Sequence, residues 1–217
     1  MRRVALFALA VAFASGCSSE SGRSPAQPES ITVPIRVTEG RPDQAHHSVH
    51  LSGSQEVFTP APGASSPADS NAQGQAIIQI APDGDSFDYK LIVSNIDNVV
   101  QAHIHCAPEG VNGPIIVWFY PSKTATGALT GPTGRHDGVL IQDTIGPANV
   151  RTFTANTANN AACPLTTAGA PTFADVLEKL RSGNAYVNVH TNDGVAPTNS
   201  GPGDFPGGEV RGQFKGR

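Results

Sequence analysis

His103-Ile104-His105 sets two imidazoles two residues apart inside Val99 to His105, an apolar run that ends at a Pro/Gly/Asn loop and reads as a strand. Side chains two apart on a strand leave the same face, so the two rings stand together while Ile104 turns into packing on the other face. Paired imidazoles are borderline nitrogen donors, and a third from an adjacent strand makes a trigonal site suited to copper, or to zinc with a water. His190 is the natural third, because Val187 and Val189 share one face of their segment and Asn188 and His190 the other. The three meet only if the two strands are neighbours. The same residues also admit a structural reading, in which the rings bond loop carbonyls with Asn112, Thr191 and Glu209 as partners. Copper is the first choice of ion, since imidazole sites suit it and Cu²⁺ heads the divalent affinity order.

Other groups carry weaker patterns. Cys106 follows His105 directly, which raises a blue-copper-like site of two histidines and a thiolate, but alternation sends the thiol to the opposite face unless a bulge intervenes. His46, His47 and His50 form a second group, with His50 alternating outward from Val49 and Leu51 and the other two at the end of a polar stretch; they read as solvated polar residues, with loose metal binding as the alternative. His136, beside Asp137 in a Gly-rich stretch, is a candidate fourth ligand. Glu56, Glu209 and Asp193 are carboxylates that could meet near the histidines, but nothing pairs them for acid–base work. Gly-x-Ser-x-Gly, His-Glu-x-x-His and phosphate-binding glycine loops are all missing, so no catalytic residue is assigned.

The elements around these residues are mostly short strands. Val49 and Leu51, Gly74 to Ile80, Phe87 to Val93, Val99 to His105, Ile115 to Tyr120, Gly138 to Ile145, Ala185 to His190 and Glu209 to Phe214 each carry strand patterning. Asp83-Gly84 marks a hairpin turn, and Thr59–Asn71 and Leu129–Arg135 read as loops. One segment differs: Phe173, Val176, Leu177 and Leu180 fall at i, i+3, i+4 and i+7, one face of a helix. Thr172 and Asp175 make a capping-box pair before it, and Gly183 is placed to end it. The expected fold is all-β, an antiparallel sandwich or Greek-key barrel with one short helix. The composition agrees, since 23 Gly and 18 Pro suit many turns, and 38% hydrophobic residues support a core. A net charge of −4 with no basic run excludes a nucleic-acid partner.

The N-terminus reads as an export signal. Arg2 and Arg3 precede the uncharged apolar stretch Val4–Ala14, too short to span a bilayer stably. It runs into Ala14-Ser15-Gly16-Cys17, which resembles the lipobox of bacterial lipoproteins, with Ala14 where Leu is most usual. The resemblance implies cleavage after residue 16 and a lipid on Cys17, and Ser18-Ser19 in place of Asp leans towards the outer membrane or cell surface. Residues 17–45, rich in Ser, Pro, Glu and Gln, then form a tether, with Ile31–Ile35 as one short apolar patch. The folded domain occupies residues 46–217. With Cys17 acylated, Cys106 and Cys163 remain as an even pair in an oxidising compartment, and their disulfide would close a 57-residue loop. In the chain-entropy account that closure contributes about 4 kcal/mol.

The domain also resembles a known family. Leu51-Ser52-Gly53-Ser54-Gln55-Glu56-Val57, Ala102-His103-Ile104-His105, Gly110–Ile115, Tyr186–Thr191 and Pro206–Gln213 occur in the order of the chordin-type (CHRD) domain, from about residue 48 to 215. The family's proline after Glu-Val is displaced to Pro60. The resemblance implies little about activity; since in animal chordin the domain belongs to a secreted signalling antagonist, it implies a protein-binding role. The chain is more distantly similar to copper–zinc superoxide dismutases, which share a His-x-His strand, a Val-His strand and a late Gly–Arg segment. That similarity implies a dismutase-like barrel, copper ligands at His103, His105 and His190, and an anion-guiding role for Arg211. The dismutase's zinc ligands and bridging histidine have no counterpart. The reading is therefore a lipid-anchored, non-catalytic CHRD binding protein of the cell envelope, with copper at three histidines. The alternatives are a copper-dependent dismutase-like redox enzyme and a metal-free envelope interaction module.

Overall fold

The computed structural model describes residues 46–127, 129, 131 and 133–216. The expected signal segment 1–16, lipidation site Cys17 and tether 17–45 lie outside the described residues. Eight strands form one antiparallel sheet: β1 (His46–Ser52), β2 (Gln73–Ile80), β3 (Phe87–Asp97), β4 (Val99–Cys106), β5 (Ile115–Tyr120), β6 (Arg135–Ile145), β7 (Ala185–Thr191) and β8 (Val210–Gln213). Their order is β5-β4-β7-β8-β1-β2-β3-β6. The sheet curls into a nearly closed barrel, in which Val150 just beyond β6 bridges Val117 on β5 and Arg151 N–H donates to the Ile116 carbonyl at 2.8 Å.

Alternation builds the interior. Phe87, Tyr89, Leu91 and Val93 from β3 meet Ala76, Ile78 and Ile80 from β2 and Val49 and Leu51 from β1. Ala102, Ile104 and Cys106 join them from β4, with Val187 and Val189 from β7. Burying one such aliphatic side chain contributes about 1.5–3 kcal/mol. Asn98, at φ 54°, is the single residue between β3 and β4 and turns the chain from one side of the barrel to the other. Asn tolerates that left-handed conformation better than most residues.

Helix α2 (Phe173–Ser182) lies where the spacing predicts. Thr172 accepts from Asp175 N–H, the Asp175 carboxylate accepts from Thr172 N–H, and Gly183 at φ 78° ends the helix. Phe173 stacks on Phe87 at 5.8 Å, so its apolar face covers the barrel. A second helix, α1 (Thr157–Ala162), was not expected. Its Ala/Asn sequence carries no apolar period, and the Asn156 cap and the following cysteine hold it instead. Cys163 is bonded to Cys106, with 5.3 Å between their Cα atoms, tying the α1 segment to β4. β6 begins at Arg135 rather than Gly138, because it is largely exposed and lacks the alternation that marks the other strands.

His47 departs from its expected place. It lies on the core side of β1, 2% exposed, with its ring edge-on to Phe214 at 6.1 Å. His46 and His50 do point outward with Ser48.

Candidate metal centre

β4 and β7 are neighbours, so the condition on which the three histidines depend is met. The register sets His105 opposite Tyr186, His103 opposite Asn188 and Gln101 opposite His190. Across β7 the same rows continue to Gln213 and Arg211 on β8, and Trp118 on β5 stands opposite His103. This face is turned away from the barrel interior, yet it is buried. Loops from residues 53–56, 107–114 and 201–209 roof it, which leaves His103, His105 and His190 only 0%, 8% and 6% exposed.

The roof fixes the rings. His105 Nδ1 lies 2.8 Å from the Gly113 carbonyl, and His190 Nδ1 lies 2.9 Å from the Pro206 carbonyl. A carbonyl only accepts, so both Nδ1 atoms carry the proton and both Nε2 atoms present lone pairs. His103 Nδ1 is 3.3 Å from His190 Nε2, and one donor nitrogen from each of the three residues lies within 4.8 Å of the others. Trigonal coordination at about 2.0–2.1 Å per bond would set such nitrogens roughly 3.5 Å apart. The Nε2 atoms of His103 and His105 are buried without a hydrogen-bond partner. Asn188 Oδ1 sits 3.0 Å from His190 Nε2, an oxygen facing a lone pair, an arrangement that a cation between them relieves.

All three rings are held neutral. Burial lowers His103 far below the ordinary histidine range, with the charges of His190 and His105 adding to it. Burial lowers His105 to about 3, assisted by His190 and Arg211 and opposed by the Gly113 carbonyl and Asn188. His190 falls to about 4 through burial, against the Pro206 carbonyl. Neutral imidazole is the ligating form, so no proton need be displaced near pH 7.

A tight scaffold surrounds the rings. The Gly113 peptide is held at both ends, because its N–H donates to the Tyr186 hydroxyl at 3.2 Å while its carbonyl binds His105. A Cβ on Gly113 would come within 2.0 Å of the Cys106 carbonyl oxygen, so only glycine fits there. The Tyr186 ring stacks on His105 at 4.8 Å and also carries the Arg211 guanidinium 3.4 Å from its centroid. Arg211 itself is 1% exposed and donates to Asn112 Oδ1, the Val111 carbonyl and Gln213 Oε1. Trp118 packs edge-on to His103 at 4.1 Å.

The matching pieces of sequence thus converge on one buried face. The CHRD domain family model matches residues 47–214 of the 217. The chain belongs to the CHRD domain family. No curated protein and no solved structure matches it.

Several candidates lie apart from the centre of this CHRD domain. Among the described residues, His103, His105 and His190 are the metal-capable group, without His136, His46, His47 or His50. Of the partners expected for the rings, Asn112 instead donates to the Val57 carbonyl and accepts from Arg211. Thr191 donates to Glu209, whose carboxylate also accepts from Ser70 and Gly203 and so latches loops together. Asp193 caps its own turn at Val195 N–H. Cys106 lies on the core side with its sulfur in the disulfide, which removes a copper–thiolate arrangement. Glu56 does approach: its Oε1 is buried without a partner, beside Gly208 and the Asn188 amide. Burial raises its carboxyl to about 8, with Arg211 and Asn188 opposing. The structure adds Asn188, Tyr186, Trp118, Gly113 and the Pro206 carbonyl, which sequence reasoning does not single out as parts of the centre.

Proposed function

We propose that this CHRD protein is exported, anchored to the cell envelope through a lipid on Cys17, and binds one copper ion through His103, His105 and His190 without turnover. The observation that carries the reading is the convergence of three neutral, buried imidazoles whose Nδ1 protons at His105 and His190 are already committed to backbone carbonyls. Carbonyl-bound imidazoles with free inward lone pairs are the usual outer arrangement of a metal-ligating histidine. A purely structural role would leave the His105 Nε2 atom buried and unsatisfied, at a cost of about 1–3 kcal/mol. An ion turns that cost into bonds. The near-complete burial of the rings and of Arg211 favours holding an ion over rapid exchange with a soluble anion, and so favours binding over dismutase-like turnover. The Ala14-Ser15-Gly16-Cys17 sequence supports the anchor.

The test is metal stoichiometry of the oxidised protein, titrated with copper and zinc beside the His103→Ala/His190→Ala variant. One equivalent held by the wild type and lost by the variant is expected. Absence of stoichiometric binding overturns the reading and leaves a metal-free interaction module. The anchor is tested separately, by a Cys17→Ser variant that should appear in the soluble fraction instead of the membrane fraction.

A further inference from the structure

We propose that the three-histidine centre is built for monovalent copper, holding Cu⁺ in preference to Cu²⁺ and Zn²⁺; this rests on the metal-binding reading above and refines it. The argument begins with charge. The metal-capable group consists of three imidazoles and contains no carboxylate or thiolate. Cys106, the one sulfur adjacent in sequence, is oxidised and faces the core. An ion entering this centre therefore keeps its full charge. The cost of desolvating a charge grows as its square, so a divalent ion loses about four times as much as a monovalent one on leaving water. Around rings that are at most 8% exposed, that difference is large.

The next neighbour makes the bias stronger. The Arg211 guanidinium rests 3.4 Å from the centroid of Tyr186, whose other neighbour is the stacked His105 ring, so a full positive charge lies one ring away from the centre. Its hydrogen bonds go to neutral oxygens of Asn112, Val111 and Gln213, and among the described residues no carboxylate forms an ion pair with it. Two carboxyl groups interact with it at longer range. Glu109 is exposed and bonded to Lys215, and Glu56 is buried and largely protonated at neutral pH. Repulsion from an uncompensated guanidinium doubles when the bound ion carries two charges rather than one.

Coordination number points the same way. Zn²⁺ takes four ligands, and Cu²⁺ prefers a tetragonal set, whereas this centre supplies three nitrogens. The nearest candidate for a fourth is the Asn188 carboxamide, which is neutral. Ligand softness does not decide the matter, because imidazole serves copper in both oxidation states. Charge and number decide it.

The experiment measures affinities of the full, oxidised protein for Cu⁺ under anaerobic conditions, and for Cu²⁺ and Zn²⁺, each against a chromophoric chelator of known strength. The expected result is Cu⁺ bound about a thousandfold more tightly than Cu²⁺, which raises the potential of the bound couple by about 180 mV at 59 mV per tenfold. In Asn188→Asp, a near-isosteric change that sets a carboxylate beside His190, the preference should shrink by at least tenfold as Cu²⁺ and Zn²⁺ gain. Wild-type protein that binds Cu²⁺ or Zn²⁺ as tightly as Cu⁺ overturns the proposal while leaving the metal centre standing. An unchanged preference in a folded Asn188→Asp variant overturns it too. Failure of every ion to bind at one equivalent removes the centre itself.

Discussion

His103 Nδ1 lies 3.3 Å from His190 Nε2, although the strand register sets Asn188 opposite His103 and Gln101 opposite His190. The two histidines are diagonal neighbours on one face of an antiparallel pair, a separation that ring side chains bridge easily. Asn188 occupies the square between them, and so governs both the spacing of the rings and the polarity of the space they enclose.

Trp118 gives a direct reporter of that space. It is the only tryptophan in the chain, and its ring centre is 4.1 Å from that of His103. Copper added to the oxidised protein should quench most of the intrinsic emission and saturate at one equivalent. In His103→Ala/His105→Ala the same additions should leave the emission within about a tenth of its starting value. Equal quenching in both proteins would place the copper elsewhere.

The Gly113 peptide should matter through its outer bond. Tyr186→Phe removes only the hydroxyl that accepts from Gly113 N–H, leaving the ring stacked on His105 and under Arg211. Loss of such an outer partner costs about 10–100-fold in metal affinity. The variant should keep the wild-type far-ultraviolet circular dichroism while its copper affinity falls about tenfold. A fall in thermal stability with unchanged copper affinity would make the hydroxyl a purely structural contact.

How much of this was legible in the chain follows from what burial does to each strand. Phe87 to Val93 and Gly74 to Ile80 alternate because one face is dry and the other wet, and their assignments are correct. Phe173 to Ser182 is equally plain, since a capped amphipathic helix writes its period and both its ends. The His-x-His pair and His190 are legible for the same reason, as polar residues on the outward face. What hides is the roof. Glu56, Gly113 and Pro206 come from loops far apart in sequence, and no periodicity marks a loop that folds back over a sheet. Nor does any pattern show that β7 is buried on both faces, or that His47 takes the core side of β1.

The disulfide should contribute to stability and to the placement of the α1 segment. Ala162, the last residue of α1, packs with Ala107 and Tyr186, so the bridge holds a small apolar cover against the ring that stacks on His105. Closing a loop of 57 residues is worth about 4 kcal/mol in the chain-entropy account. The Cys106→Ser/Cys163→Ser variant should therefore unfold at clearly lower denaturant concentration, with a shift of about 2–4 kcal/mol in chemical denaturation. A shift below about 0.5 kcal/mol would show that the native fold gains nothing from the bridge.

Glu56 and the histidines should give the metal-free protein a stability maximum near neutrality, with the two sides set by different residues. Glu56 as a residue is half-buried, but its Oε1 is sealed from solvent, and its carboxyl is raised from 4.5 to about 8. A raised acid binds its proton more tightly when folded, so its stabilising effect is complete below pH 4.5 and is lost as pH rises towards 8. The histidines run the other way. His105 and His190 are lowered from 6.5 to about 3 and 4, and His103 is lowered as well, so the unfolded chain takes up protons first as pH falls. Their contribution is present above pH 6.5 and is lost as pH falls towards 4. At pH 5.5 the unfolded state thus binds about two more of these protons than the folded state, and at pH 7.5 about half a proton fewer. Stability should climb steeply to a maximum a little below about pH 7 and then decline by roughly 0.5 kcal/mol by pH 8. In Glu56→Gln, the declining limb should disappear while the acid limb remains. Urea denaturation of both proteins from pH 5 to 8.5, in the presence of a chelator, reads the two limbs separately. Persistence of the alkaline decline in Glu56→Gln would assign it to another group.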